Sequence, residues 1–305
     1  MNCILGFDGG GTKTECVVMN LASEVTARAV GGPSNSSRIG VEAAVRNVVA
    51  AADAALTRAG RTRGDVSSIG AGLAGTTDAQ RREQVRAGLQ AAFPGARLVM
   101  MTDLEAALAA APEGAAIVLV AGTGSAAIGR NARGERVRVG GYGRFSSDEG
   151  SAFDVGRKAL ASAMAEREKR GAESQIGTAI LRQLRCAGWA EAQERAQAAP
   201  DDVYPAIFPL IAAAADACDE LARSVLRDAA ENLSLLTREA ASQLSLSGAE
   251  FLVVKMGGML GRSDFFDAEL GNALRKNLPH AREGKLRLSP AEAAALAARD
   301  AYGRA

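Results

Sequence analysis

Apolar residues come in short alternating or unbroken stretches from the start of the chain, and their spacing changes from two residues to three or four as it proceeds. Residues 3–9 and "TECVVMN" (14–20) predict two strands joined at a glycine-rich tip, and "SEVTARAVG" (23–31) a third. "GGPSNSSRIG" (31–40) has the composition of a loop. "VEAAVRNVVAAADAALTRAG" (41–60) has apolar positions at helical spacing and stops on glycine. A buried strand (66–75), a helix (78–93), a strand (96–101) and a helix (102–111) follow, before Pro112-Glu113-Gly114 breaks the pattern. The order β-β-β-α-β-α-β-α predicts an α/β fold, a mixed sheet flanked by helices.

The opening pattern then returns. "AAIVLVAGTGSAAIGRNARGERVRVGG" (115–141) is again strand, glycine turn, strand, hairpin turn and strand, with Gly122-Thr123-Gly124 in the place of Gly10-Gly11-Thr12. Two similar halves predict a duplicated domain with a cleft between. The remainder is helical over 151–169, 175–186, 206–244 and 289–304, apart from "EFLVVKMGGML" (250–260), a strand running into a Gly-Gly turn.

Composition narrows the function classes. The 305 residues are 48% hydrophobic and 23% charged, ordinary for a soluble globular protein, and a net charge of +1 without basic runs gives no sign of nucleic-acid or membrane binding. The longest apolar run, "AAIVLVA", is too short to span a bilayer, and "MNCILGFDGG" has no signal-peptide pattern, so a cytoplasmic location is expected. Cys3, Cys16, Cys186 and Cys218 form no C-x-x-C pair and read as reduced structural thiols. With His280 the one histidine, and in a polar loop, relay and His-rich metal chemistry lack their residues, and proton transfer falls to carboxylates.

The chemistry centres on "GFDGGGTKTE" (6–15). Gly6 and Gly11 have P-loop spacing, but Thr12 stands where lysine should be, Lys13 comes one place late, and a strand follows instead of a helix. The stretch is either a tight hairpin turn or a phosphate loop at a hairpin tip. Asp8 among its glycines would repel polyphosphate unless a hydrated Mg²⁺ stood between them. "GTGSAA" satisfies the dinucleotide fingerprint, but no helix follows it, which removes that reading. A base for phosphoryl transfer is found in Asp103, at the carboxyl end of the strand "RLVMM", where open α/β sheets place ligands. Thr102 and Glu105 fit a capping box, so Asp103 could instead merely favour the helix end. In "GGYGRFSSDEGS" (140–151), Asp148 and Glu149 could cap the next helix or bind acceptor hydroxyls.

"DGGGTKTE", "SNSSRIG", "GLAG", "TDLEAALAAA", "AGTGS", "GGYGRFSSDEGSAFDVG" and "GGML" occur in this order, and with them the chain resembles N-acetylglucosamine kinases. These belong to the benzoyl-CoA-reductase-activator (BadF/BadG/BcrA/BcrD) type of ATPase family, within the actin-like sugar kinase superfamily. The resemblance implies a two-lobed actin-like (ribonuclease H-like) fold with the active site in the interlobe cleft. It divides the chain into 1–113 plus 290–305, and 114–289. ATP and Mg²⁺ are implied, with Asp8 holding the metal through water. Gly10, Gly11, Thr12, Lys13, Thr123 and Gly124 would meet the phosphates and Gly257 and Gly258 the adenosine. Asn35, Ser125, Gly141, Tyr142, Gly143 and Asp148 would line the sugar pocket, and Asp103 would take the proton from the sugar's 6-hydroxyl. A homodimer acting on a small amino sugar is implied, with no nucleic-acid or membrane partner.

Three positions near the implied sugar site depart from mammalian relatives: Gly75-Thr76-Thr77-Asp78 replaces Gly-Gly-Asp-Gln, Tyr142 replaces tryptophan, and Ala126 replaces asparagine. Glucosamine kinases share the framework. So do iron–sulfur ATPases that activate dehydratases, but Cys186 and Cys218, both expected in helices, have no neighbours suited to a shared cluster.

Overall fold

The structure, a computed structural model, describes residues 2–144 and 146–303, the side chain of residue 170 excepted. The first elements are β1 (Cys3–Gly9), β2 (Thr14–Asn20), β3 (Val25–Gly31), α1 (Ser36–Ile39), α2 (Val41–Arg58), β4 (Val66–Leu73), α3 (Ala79–Ala92), β5 (Arg97–Met101) and α4 (Asp103–Ala110). Next come β6 (Ala116–Ala121), β7 (Ser125–Arg130), β8 (Arg136–Gly140), α5 (Ala152–Arg170), α6 (Gln175–Leu184), α7 (Trp189–Ala198), α8 (Pro200–Asp216), α9 (Glu220–Gln243), β9 (Phe251–Met256), α10 (Asp264–Asn277), β10 (Ala281–Gly284) and α11 (Pro290–Tyr302). Two compact units result: the residues up to Pro112 with those from Lys285 onward, and Glu113–Gly284.

Each unit has a five-stranded mixed sheet, ordered β3-β2-β1-β4-β5 in the first and β8-β7-β6-β9-β10 in the second. Strand for strand this is one topology used twice: an antiparallel three-strand meander followed by two parallel strands. The repeated glycine hairpin read from the sequence is therefore a repeated fold. Among the described residues, no helix is long and apolar enough to cross a membrane.

In the first unit, α2 and α3 cover one face of the sheet, where Leu5, Phe7, Val18, Leu56, Ile69 and Leu89 form a closed core. On the other face α11 lies against Ile4, Val17 and Met19 through Ala291, Ala295 and Ala298. The approach is backbone-close: a Cβ on Gly6 would stand 2.0 Å from the Ala291 carbonyl, and one on Gly70 1.9 Å from that of Ala294. Gly6, which supplied the P-loop-like spacing, is thus a helix-packing residue. In the second unit the helices α5–α10 surround a larger core that includes Ile117, Leu119, Ile207, Leu226 and Phe266.

Several elements differ from the expectation. The run 206–244 is two helices, α8 and α9, parted at Cys218, whose φ is +67°. α8 also begins earlier, with Pro200 in its first turn and Pro205 and Pro209 inside it. α7, α10 and β10 had no clear signature. The loop 31–40 contains one helical turn, α1, and β3 starts at Val25 after a turn. Cys186 and Cys218 lie in connections, not in helices, while Cys3 and Cys16 are buried, their thiols pushed up first of all by that burial. His280 is exposed in a turn, as expected. Residue 304, in the predicted final helix, lies outside the described residues, as does Phe145 in the predicted loop 140–151.

Candidate active site

In the first unit, the tip of the β1–β2 hairpin is closed by a hydrogen bond from Gly10 N–H to the Lys13 carbonyl (3.0 Å). Two neighbouring loops brace it. Ser34 and Asn35 donate their N–H groups to the Gly10 carbonyl at 3.0 and 3.1 Å, and Ala74 donates to that of Gly9 at 2.8 Å. Thr14 is fully buried, and its hydroxyl joins the Gly32 carbonyl and Ser34 Oγ. A Cβ on Gly9 would fall 2.1 Å from Ser34 Oγ, so only glycine admits this bracing. Thr12 and Lys13 are left exposed at the tip.

Asp8 sits just below that tip, opposite Glu15 on β2 and Gly72 on β4, and Gly72 in turn neighbours Met101 at the end of β5. The strand register thus brings Asp8 near the start of α4, where Asp103 is the first residue. Burial, then the negative charges of Asp103 and Glu15, push the Asp8 carboxyl up to about 7, against the opposing Lys13 ammonium. Such a pair of acids favours a cation as third partner. Mg²⁺ fits this donor set, because it takes one or two carboxylates and keeps several waters instead of requiring a protein cage. Among the described residues no group of three or more His, Cys, Asp or Glu that could hold a metal ion occurs.

The capping box predicted at α4 is formed by Thr102 and Glu105: Glu105 N–H donates to Thr102 Oγ1 at 3.1 Å and Thr102 N–H to Glu105 Oε2 at 2.7 Å. Capping is therefore done without the Asp103 carboxylate. Asn35 caps α1, its Oδ1 accepting from Ser37 N–H (3.1 Å) and Ser37 Oγ (2.7 Å). That oxygen lies against Gly75, whose φ is +80°, and Ser36 Oγ donates to the Gly75 carbonyl. Asn35 and the divergent 75–78 loop are thus neighbours. In that loop Thr76 is buried, with its hydroxyl on the Leu73 carbonyl, and Asp78 caps α3.

In the second unit, the turn 122–124 closes with Gly122 N–H donating to the Gly124 carbonyl (3.0 Å). The start of α5 docks on it: Ala152 and Phe153 donate N–H groups to the carbonyls of Gly122 and Thr123. Gly257, with φ +119°, crosses the same strand end, where a Cβ would stand 2.2 Å from the Ala121 carbonyl, and Met259 N–H donates to that carbonyl. The two turns expected to meet phosphates and adenosine in this unit, at Thr123-Gly124 and Gly257-Gly258, are therefore adjacent.

Asp148 packs against the Gly124 backbone and accepts from Ser125 N–H at 3.3 Å, while buried Ser125 Oγ donates to the Glu149 carbonyl at 2.8 Å. Burial raises the Asp148 carboxyl, opposed in part by the Ser125 N–H and by the charge of Arg138. Tyr142 is 63% exposed, and its N–H donates to Ser147 Oγ. Gly140, Gly141 and Gly143 all have positive φ, so the loop requires glycine at these places. Ser151, and neither Asp148 nor Glu149, caps α5, and Glu149 is exposed. Reading the sequence also missed Asp154: it is buried, takes the Gly150 N–H at 3.0 Å and pairs with Arg157 and Lys158, so it fixes the end of the Asp148 loop. The pattern Ser151-x-x-Asp154 was the available signal.

Comparison with known proteins identifies the family of the chain. The model of the BadF/BadG/BcrA/BcrD ATPase family matches residues 5–298. An N-acetylmuramic acid/N-acetylglucosamine kinase of Clostridium acetobutylicum is 26% identical over 283 residues, covering 92% of each chain. A glucosamine kinase of Vibrio cholerae is 35% identical over 163 residues, 52% of this chain and 54% of its own. A solved structure from Chromobacterium violaceum, described as a candidate N-acetylglucosamine kinase, superposes with a TM-score of 0.78 at 25% identity, over 97% of this chain and 98% of its own.

Proposed function

Because the chain belongs to the BadF/BadG/BcrA/BcrD ATPase family and has the α/β fold of actin-like sugar kinases, we propose that it is an ATP-dependent amino-sugar kinase that phosphorylates the 6-hydroxyl of N-acetylglucosamine. The observation that carries this reading is the pairing of Asp8 and Asp103 beside the glycine hairpin. One carboxylate lies next to the glycine turn and the other at the helix start at a strand's carboxyl end.

Asp103 acts as general base, accepting the proton of the 6-hydroxyl as the oxygen attacks the γ-phosphorus, a role typically worth about 10²–10⁴-fold in rate. Asp8 would hold hydrated Mg²⁺, which when bound neutralises charge on the phosphates. The tip residues Gly11–Lys13 and the turn at Thr123-Gly124 offer N–H and hydroxyl donors to phosphate oxygens. Gly257-Gly258 gives a backbone surface without side chains for adenosine. Asp148, held by Ser125 N–H, accepts from sugar hydroxyls, with Asn35 and the Gly141–Gly143 loop as further sugar contacts.

Glucosamine is the second reading, favoured by the 35% identity to the Vibrio cholerae glucosamine kinase. ADP release with Mg·ATP is to be measured against N-acetylglucosamine, glucosamine, N-acetylmuramic acid, N-acetylmannosamine and glucose. The proposal expects N-acetylglucosamine to give the highest kcat/KM. Preference for glucosamine would move the substrate to the second reading, and ADP release indifferent to every sugar would overturn the kinase reading.

A further inference from the structure

The alternation Arg136-Val137-Arg138-Val139 in β8 puts the two valines against the core and sends Arg138 to the opposite face of the sheet. β8 then runs into two consecutive left-handed glycines, Gly140 at φ +74° and Gly141 at φ +71°. A backbone bent this way leaves carbonyls that need donors. Arg138 supplies them: its Nε donates to the Gly140 carbonyl at 3.0 Å and its Nη2 to that of Gly141. The same guanidinium lies 4.9 Å from the centre of the Tyr142 ring. A Cβ on Gly141 would stand 3.0 Å from Arg138 Nη2, so glycine there is what lets the guanidinium in. Tyr142 stays 63% exposed, a large aromatic surface held in place on a loop tip. The charge of Arg138 also reaches Asp148.

We propose that Arg138 is the positioning residue of the sugar loop, splinting Gly140-Gly141 and holding the Tyr142 ring as a stacking face for the pyranose of the substrate. This rests on the sugar-kinase reading for its ligand but not for its geometry. The planar fork suits this place, because its donors are held in fixed directions toward two carbonyls while its flat face meets the ring, whereas an ammonium is a point charge on a flexible stem with no face to stack. Lysine is therefore a poor substitute.

The test uses full-length protein with Arg138→Met and Arg138→Lys. Both should raise KM for N-acetylglucosamine about 5- to 10-fold, the worth of a partly desolvated cation–π contact, with KM for ATP and kcat nearly unchanged. Independently, fluorotyrosine labelling gives one ¹⁹F signal for each of the three tyrosines, and Tyr142→Phe identifies that of Tyr142. This signal should shift in Arg138→Met without any sugar, while those of Tyr204 and Tyr302 stay in place. An unmoved Tyr142 signal, or a folded Arg138→Met with wild-type KM for sugar, overturns the proposal. If no sugar is turned over by the wild type yet the Tyr142 signal moves, the splint stands and the kinase reading falls.

Discussion

Replacing Asp8 with asparagine is expected to stabilise the cation-free protein at alkaline pH while removing its activity. The Asp8 carboxyl holds its proton up to about pH 7 in the fold, against 3.8 as the ordinary value. The folded state therefore binds more protons than the unfolded chain between those two values, and stability falls as pH rises through that window. Below pH 3.8 the group costs nothing. Above pH 7 the full gap applies, about 4 kcal/mol at 1.36 kcal/mol per pH unit. Asparagine carries no charge and keeps nearly the same shape, so the variant escapes this loss. The Tm of Asp8→Asn should match wild type near pH 4 and exceed it by about 5–10 °C at pH 8.5 in EDTA, from the usual scaling of Tm with free energy. Mg²⁺ should close the gap at pH 8.5 by raising the wild type alone. Thermal unfolding followed by circular dichroism across that pH range is the assay. A Tm difference that does not grow with pH, or a less stable variant at pH 8.5, would refute the reasoning.

Asp103→Asn should lower kcat about 10²- to 10⁴-fold with KM values for ATP and sugar largely kept, measured by steady-state kinetics. Asp154→Asn should cost about 2–3 kcal/mol, as expected for hydrogen bonds to a buried charge, read as a lower midpoint in urea. The Asp154 carboxyl is raised by burial but lowered overall by the Gly150 N–H, Lys158 and Arg157. Its contribution is thus present above pH 3.8 and lost as pH falls through its depressed value, so acid unfolding of the variant should lack that step. Gly257→Ala should raise KM for ATP and lower Tm, since its Cβ would meet the Ala121 carbonyl at 2.2 Å in a left-handed backbone.

The hairpins at 3–20 and 115–130 were legible because glycine tips and period-two patterns are local signals, and their repetition exposed the duplicated topology. The Thr102–Glu105 capping box was equally legible, being contained in four residues. The break at Cys218 was not: alanine-rich sequence on both sides continues the helical pattern, and neither glycine nor proline marks the turn. α10 and β10 went unassigned for want of strong periodicity. The helical spacing was read from 206 onward, yet α8 begins at Pro200 and packs on α5, where Gly156 lets the Tyr204 backbone approach. Of the site, residue types pointed to Asp8, Asp103 and Asp148. The role of Gly6 in seating α11 depends on a contact between elements far apart in the chain, which no local pattern encodes; the cap of Ser151 and the hold of Arg138 on Gly140-Gly141 span only two or three residues and were overlooked.

The central claim is transfer of phosphate to a primary sugar hydroxyl by a carboxylate-assisted kinase. Its most direct test is ³¹P and ¹³C NMR of the product formed from Mg·ATP and ¹³C-labelled N-acetylglucosamine. The account predicts one phosphomonoester, coupled to C6, that forms with wild type and is nearly absent with Asp103→Asn. Phosphate on the anomeric oxygen, or only inorganic phosphate and ADP, would contradict it.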